Sequence, residues 1–470
     1  MAYDDLRQFL SRLEQEGLLA RVKEQVDWDL EAGAIIHKNF EARGPAILFE
    51  NIKGSRYPLL SGAMNTYRRC GLGIGADGTL RSVLRKTLDA TRNPVSPVVV
   101  QSGACQENVI VGGDIDLNRF PVPRWHEMDG GRYVGTLGLV ITADPVTGTR
   151  NVGIYRQQIL DKATTGILAT QQFGTMFQRY RAAGRPMPIA TAIGVAPEIL
   201  LSSVCYAPYG QDELGIAGAL RQAPVELVKC KTVDLQVPAT AEIVLEGVVE
   251  IDDSKWKEEG PFGEFPGYYG GVKMPRPTIR LSAITHRNNP IFQGTLEGAP
   301  PNESSVIRTV GHSVGAWSKL LAMGIPGVKE VHFTEMGCAQ FVAIVSLDRQ
   351  YYGGHARQII EALWATNINA KWAIVVDDDI DIYDQGQVEW AISTRVQPHR
   401  DIVITSENEP GISLDPSIEP GRRPYPNARS SRIGIDATTQ YKGFDFPLKA
   451  RPSPELLRLV EEKWSGRGLF

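Results

Sequence analysis

At 470 residues the chain is too long for one hydrophobic core and implies roughly two or three domains. Apolar residues make up 42% and charged residues 22%, the balance of a soluble globular protein. The formal net charge of −4 argues against a nucleic-acid binder, which presents a basic face, and no run of about 18 apolar residues offers a membrane-spanning helix.

The chain opens with DLRQFLSRLEQEG, where Leu6, Phe9, Leu10 and Leu13 recur at helical spacing behind Asp4 or Asp5 as a cap. This start is acidic and lacks the apolar run of a signal peptide. PAILFENI and PVVV read as strands around the helix TLRSVLRKTLDATR. From about residue 115 strands dominate: GTLGLVITAD, NVGIYRQQIL, MPIATAIGV, VELVKC, AEIVLEGVVEID, TIRLSAITHR and PIFQGTL, with FGTMFQRYRAAG and DELGIAGAL helical. That texture predicts a barrel or sandwich of mainly antiparallel strands. After about residue 303 a helix–strand rhythm returns, from ESSVIRTVGHSVGAWSKLLAMG through the buried strand WAIVVDDDI to DIVITS. Asn408 to Asn427 reads as an extended connector, and PSPELLRLVEEKW as a closing amphipathic helix with Pro454 in its first turn. The predicted class is therefore α/β (α+β): an α/β region over 1–115, a mainly β region over 116–302 and a second α/β region over 303–470.

Five scattered cysteines without a CxxC pair predict free thiols in a reducing, cytoplasmic setting. Seven widely spaced histidines exclude a paired-histidine metal site, and neither a GxSxG elbow nor a P-loop occurs. CGLGIGADG holds GxGxG but lacks the sixth-position glycine of a dinucleotide fingerprint. VVDDDID places Asp377 to Asp381 at a strand end, where a metal, a ligand or simple solvation would each fit.

The stretch EEGPFGEFPGYYGG, residues 258–271, packs three carboxylates, two prolines, five glycines and four aromatic rings into fourteen positions. Pro261 and Pro266 disfavour helix before them, which predicts a turn-rich loop. Glu259 and Glu264 flank the PFG turn, and a rigid loop could aim both into one dry pocket, with one protonated and the other ionised. The competing reading is an exposed glycine loop with solvated glutamates. In NVGIYRQQ, Arg156 sits beside Tyr155 in an apolar strand, as a partner for a buried glutamate, a grip on a substrate carboxylate, or a solvated surface arginine. Asn151 offers an amide oxygen to a hard cation or shapes a turn, and Glu213 stands at a helix start, where the dipole alone favours a carboxylate.

NVGIYRQQ, DELGIAGAL, VPATAEIVLEG, EGPFGEFPGYYGG, WAIVVDDDI and IGIDAT together resemble the UbiD family of reversible decarboxylases, in order from about residue 5 to the final WSGRGLF. The resemblance implies non-oxidative (de)carboxylation of an aromatic, heteroaromatic or α,β-unsaturated acid, releasing or fixing CO2. It implies prenylated FMN with Mn2+ and K+, a split flavin-binding β-barrel between α/β segments, and a homodimer or larger homo-oligomer built by the C-terminal region. A flavin prenyltransferase would supply the cofactor. Nucleic acid and integral membrane contacts are not expected. The family's catalytic set falls on Glu264 as proton donor, with Arg156 and Glu259 as the ion pair that positions the carboxylate and cofactor. Asn151, Glu213 and Gln172 fall on the metal-ligand positions, and Asn151, Ile154, Tyr155, Arg156, Leu168, Ala169, Thr170, Gln171, Gln172, Glu213 and Arg432 on cofactor contacts. Two positions depart from the pattern: Gln171 and Gln172 stand where many members carry a metal-binding histidine, and Arg432 where a lysine is common. An amide oxygen of Gln172 suits a hard cation but binds it more weakly than a charged ligand would. The alternatives to this reading are a flavin-binding homologue without turnover and, more remotely, a hydrolase using the Glu259 and Glu264 pair.

Overall fold

The computed structural model describes residues 3–205, 210–366, 369–423 and 427–467. The first helix, Leu6–Gln15, is capped by Asp5, whose side chain accepts the Gln8 N–H, and it buries the four predicted apolar residues. Behind it lies a four-stranded sheet in the order Leu19–Val22, Ala46–Phe49, Leu59–Ser61 and Phe292–Gln293, so its last strand comes from far along the chain. The glycine-rich CGLGIG segment is no nucleotide loop. It forms the end of the helix Tyr67–Ile74, which Gly75 terminates in the left-handed region at φ 73°.

The central unit is an eight-stranded sheet whose neighbours all pair antiparallel. Seven strands run in the order Arg150–Ile154, Leu139–Ala143, Met187–Ile193, Ile243–Val249, Thr278–His286, Thr164–Ile167 and Gln157–Asp161, with Asn108–Val111 added beside Thr278–His286. The two strands at the ends of this order are consecutive in the chain. Only Tyr155 and Arg156 separate Ile154 from Gln157, and that span covers at most roughly 10 Å. The sheet therefore curls until its edges almost meet, as a split barrel. NVGIYRQQIL is thus two strands rather than the one its apolar pattern predicted, and Tyr155 and Arg156 occupy the seam. The segment 132–134 fills the gap: Ile159 N–H donates to Arg132 O and Val134 N–H to Gln157 O, both at 2.8 Å.

The C-terminal part packs the long helix Glu303–Ala322 against a five-stranded sheet. That sheet has the order Val328–Phe333, Val342–Leu347, Trp372–Asp377, Ile433–Ala437 and Ile402–Ile404. Asn302 caps the helix in a reciprocal capping box with Ser305. The first helical residue, Glu303, is fully buried and accepts the Gly62 and Met64 N–H groups at 2.8 and 2.7 Å, tying the N-terminal sheet to this helix. One apolar cluster runs from Leu6 through Leu139, Leu214 and Leu320 to Val375, so the three segments share a core. The acidic strand end is structural. Asp377 accepts from Thr439 and Arg395, and Asp379 pairs with Arg395 and Lys449. The closing helix, Pro454–Trp464, is amphipathic as predicted but has no buried residue, leaving Leu456, Leu457 and Leu459 exposed. All five cysteines are free, and no helix among the described residues is long and apolar enough to cross a membrane.

Leu320 is completely buried in the shared core, so Leu320→Ala removes its packing and leaves a cavity. It is expected to cost about 2–5 kcal/mol, read as a lowered midpoint in denaturant unfolding. An unchanged midpoint would show that the segments do not share one core.

Candidate active site

Arg156 stands in the seam of the split barrel with its side chain 8% exposed. Its guanidinium grips Glu259 through two bonds, Nε to Oε1 and Nη2 to Oε2, each 3.0 Å. The remaining Nη1 donates in a very short contact to Glu264. Both carboxylates are buried, Glu259 at 1% and Glu264 at 7% exposure. The readings of Arg156 as a solvated strand residue and of the glutamates as exposed are therefore overturned: one guanidinium is shared by two buried carboxyl groups.

The segment carrying the glutamates is less of a loop than its prolines and glycines predicted. Lys257–Glu259 pairs antiparallel with Met274–Arg276, and Phe262–Gly263 with Tyr269–Gly270, which makes a narrow hairpin. Its turn geometry needs glycine at Gly260, at φ 89°, and at Gly267, at φ 84°, where an added Cβ would also strike Ala299 at 2.7 Å. Only half of its rings exclude water. Phe262 and Phe265 are buried, whereas Tyr268 and Tyr269 are 65% and 38% exposed. Phe262 lies under the Arg156 guanidinium at 5.5 Å, and Phe265 packs on Phe341 at 5.8 Å. Leu414 of the connector comes within van der Waals range of the hairpin at Gly270, beside Glu264.

A second group gathers at the strand that leads into the seam. Asn151 is buried in the strand Arg150–Ile154, and its Nδ2 has no hydrogen-bond partner. Glu213 is the first residue of the helix Glu213–Arg221, capped by Asp212, which pairs with Arg150. Its carboxylate accepts the Val152 N–H at 3.2 Å, next to Asn151. Burial pushes the Glu213 carboxyl up to about 8, with the neighbouring Asp212 adding to the effect and Arg150 offsetting only a small part of it. A buried carboxyl beside a carboxamide, whose oxygen can ligate, is a donor set that a hard cation fits. Among the described residues no group of three or more His, Cys, Asp or Glu side chains could hold a metal, so any site here draws on amide oxygens.

Leu168, Ala169 and Thr170 are half-buried in the link from the strand Thr164–Ile167 to the helix Gln171–Ala182. Thr170 stands at the N-cap without a side-chain capping bond, so the first-turn amides remain available to an anion. Gln172 is half-buried in that first turn, and the Gln171 side chain lies outside the described atoms. Tyr155 packs on Phe173 of the same helix at 5.0 Å, which joins this group to the seam, where Ile154 ends its strand. Arg432 stands apart from both groups. Its guanidinium donates to the carbonyls of Trp364 and Pro410 at 3.1 and 2.8 Å and so anchors the connector.

Four further residues surround the hairpin and were missed by the sequence reading: Tyr133, which touches Glu259, and Gln158, Asp129 and Arg276. Tyr133 Oη lies 3.1 Å from Glu259 Oε1, and Gln158 Oε1 accepts the Gly260 N–H at 2.7 Å. Asp129 accepts the Gly263 N–H at 2.9 Å. Arg276, across the ladder from Lys257, has a buried Nε without a partner, and burial lowers its basicity while the Glu259 charge supports it. The run DGGRY, Asp129 to Tyr133, carries a turn signal, but no local pattern ties it to a hairpin more than a hundred residues away.

Three family models match the chain in order. They are the N-terminal domain of 3-octaprenyl-4-hydroxybenzoate carboxy-lyase over residues 10–87, its Rift-related domain over 97–300 and its C-terminal domain over 306–437. Among solved structures, the vanillic acid decarboxylase of Sedimentibacter hydroxybenzoicus in closed form is 33% identical, with a TM-score of 0.90 over 99% of this chain and 100% of that one. The UbiD-class enzyme HmfF of Pelotomaculum thermopropionicum, in complex with FMN, is 34% identical, with a TM-score of 0.83 over 97% of this chain and 99% of that one. An evolved dimeric form of HmfF in complex with prFMN is 33% identical, with a TM-score of 0.81 over 97% and 98%. Likeness of this extent, in sequence and in fold alike, makes the chain a member of the UbiD family of carboxy-lyases.

Proposed function

We propose that the protein is a prenylated-FMN-dependent reversible decarboxylase of an aromatic or heteroaromatic acid, with an α,β-unsaturated acid as the wider class. The observation that carries this reading is the guanidinium of Arg156 shared between buried Glu259 and Glu264. Glu259 and Glu264 share Arg156, with Arg276 beside Glu259, and an incoming substrate carboxylate then leaves this dry site with an excess negative charge. Retaining one proton is the least costly response. Glu259 has the bidentate grip, so the proton falls to Glu264, the more weakly held of the two.

Prenylated FMN, when bound, supplies the electron sink that loss of CO2 from an sp2 carbon requires and that no side chain offers. Ile154, Tyr155, Arg156 and the run Leu168, Ala169, Thr170, Gln171 and Gln172 would hold it beside the seam, with Arg432 steadying the connector that covers the hairpin. Asn151, Glu213 and Gln172 would hold Mn2+ close to the flavin phosphate, with K+ accompanying it. Arg156 would orient the substrate carboxylate and release it as neutral CO2 forms. Glu264 would then deliver its proton to the ring carbon and recover one from solvent. The buried faces of Phe262 and Phe265 favour a flat substrate over an aliphatic one. A flavin prenyltransferase would supply the cofactor in a cytoplasmic setting, and the protein would act as a homo-oligomer.

Native mass spectrometry after co-expression with a flavin prenyltransferase tests the reading directly. The expected mass increment is prenylated FMN plus one divalent metal, and flavin-free protein would overturn the assignment. Glu264→Gln keeps shape but has no proton to give, so decarboxylation is expected to fall by about 10²–10⁴-fold with flavin absorbance unchanged. Full activity would remove Glu264 as the acid. Glu213→Ala is expected to copurify with little manganese by inductively coupled plasma mass spectrometry, and an unaltered metal content would exclude Glu213 as a ligand.

A further inference from the structure

Tyr133 is fully buried, with its ring against Phe262 at 4.3 Å between centroids. Its hydroxyl has one proton and three acceptors around it: Glu259 Oε1 at 3.1 Å, Pro261 O at 3.1 Å and Gln158 Oε1 at 3.2 Å. All three already have a donor of their own, Glu259 Oε1 accepting from Arg156 Nε at 3.0 Å. Gln158 Oε1 accepts from Gly260 N–H at 2.7 Å, and Pro261 O accepts from Gly130 N–H at 2.8 Å. Both are neutral, whereas Glu259 carries a charge, and a charged acceptor makes the stronger bond.

The surroundings keep this choice in place. The Gln158 side chain also donates to Gly130 O at 2.8 Å, which fixes its amide. The carboxylate of Asp129, with its side chain fully buried, accepts Gly263 N–H at 2.9 Å and His126 N–H at 3.0 Å. Gly130 approaches the hairpin so closely that a Cβ there would lie 2.2 Å from Gly260 O. The segment 126–133 therefore braces the hairpin on the glutamate-bearing side. The charged and titratable groups facing Glu259 are Arg156 from the seam, Arg276 from the paired strand, Glu264 from the hairpin, and Tyr133 with Asp129 from the brace. Burial, with the Glu259 charge, pushes the Tyr133 hydroxyl above the ordinary phenol range, so it remains a donor.

We propose that Tyr133 is a positioning residue of the reaction: its hydroxyl, donated to Glu259, fixes Glu259 as the ionised partner of Arg156 and leaves the transferable proton on Glu264. Glu259 then has three donor bonds, two from Arg156 and one from Tyr133, against the single bond from Arg156 to Glu264. The inference rests on the reading of Glu264 as the acid, so its test has an arm that needs no turnover.

That arm is neutron diffraction from deuterium-exchanged crystals. The expected map places the Tyr133 deuteron on the line to Glu259 Oε1, and a deuteron directed at Gln158 Oε1 or Pro261 O overturns the proposal. The second arm is Tyr133→Phe, which keeps the ring on Phe262 and removes only the donor. Loss of one hydrogen bond to a charged group is expected to lower kcat about tenfold with KM within about twofold. A loss of kcat accompanied by a comparable rise in KM would mark Tyr133 as structural only and overturn the proposal. If the wild-type enzyme decarboxylates no acid, the proposed function fails while the neutron map still decides the arrangement of Tyr133.

Discussion

Taking an ion out of water costs several kcal/mol unless partners stand close, and the seam of this barrel removes three ionisable groups from water together. Arg156, Glu259 and Glu264 are tolerable there only as a unit, because each answers for the burial of another. That mutual dependence explains much of the geometry around them. The hairpin needs its glycines to turn tightly enough, Phe262 must lie flat beneath the guanidinium, and the backbone N–H groups of Gly260 and Gly263 must find fixed acceptors in Gln158 and Asp129. A looser hairpin would let water in to the buried carboxylates.

The curl of the large sheet is what brings these groups together. Its first and last strands are joined by two residues, so closing the sheet and placing Arg156 are one event. The same closure places Asn151 and Tyr155 on one side of the seam and Gln157 and Gln158 on the other. The link 168–170 and the helix after it then lie against Tyr155 through Phe173. Strands thus carry Asn151, Gln157, Gln158 and Glu259, and the short links between strands carry Arg156 and Glu264.

Much of this was legible in the sequence, and the limits have physical causes. Helices with strong apolar periodicity, such as Leu6–Gln15 and Glu303–Ala322, follow from spacing and capping residues. The strand pattern of the central sheet was equally readable. The break at Tyr155 and Arg156 was not, because an apolar run reads as one strand whether or not a sheet closes around it. Glu259, Arg156 and Glu264 were singled out through their motifs, and the fold brings their side chains together. Tyr133, Asp129 and Gln158 escaped because their link to the hairpin is tertiary, across separations of 102 to 134 residues. The ring-rich stretch suggested a wholly dry loop, yet two of its four rings face solvent, since composition does not say which face of a hairpin is covered.

The small N-terminal sheet has a consequence for how the chain is made. Leu59–Ser61 pairs on one side with Ala46–Phe49 and on the other with Phe292–Gln293, and its three residues are completely enclosed in the finished protein. During synthesis that second edge stays open until the ribosome has released the entire barrel. An apolar strand edge exposed for so long invites pairing with other nascent chains. The order of translation therefore places an aggregation hazard of this enzyme near residue 60, far along the chain from the hairpin that carries the buried glutamates.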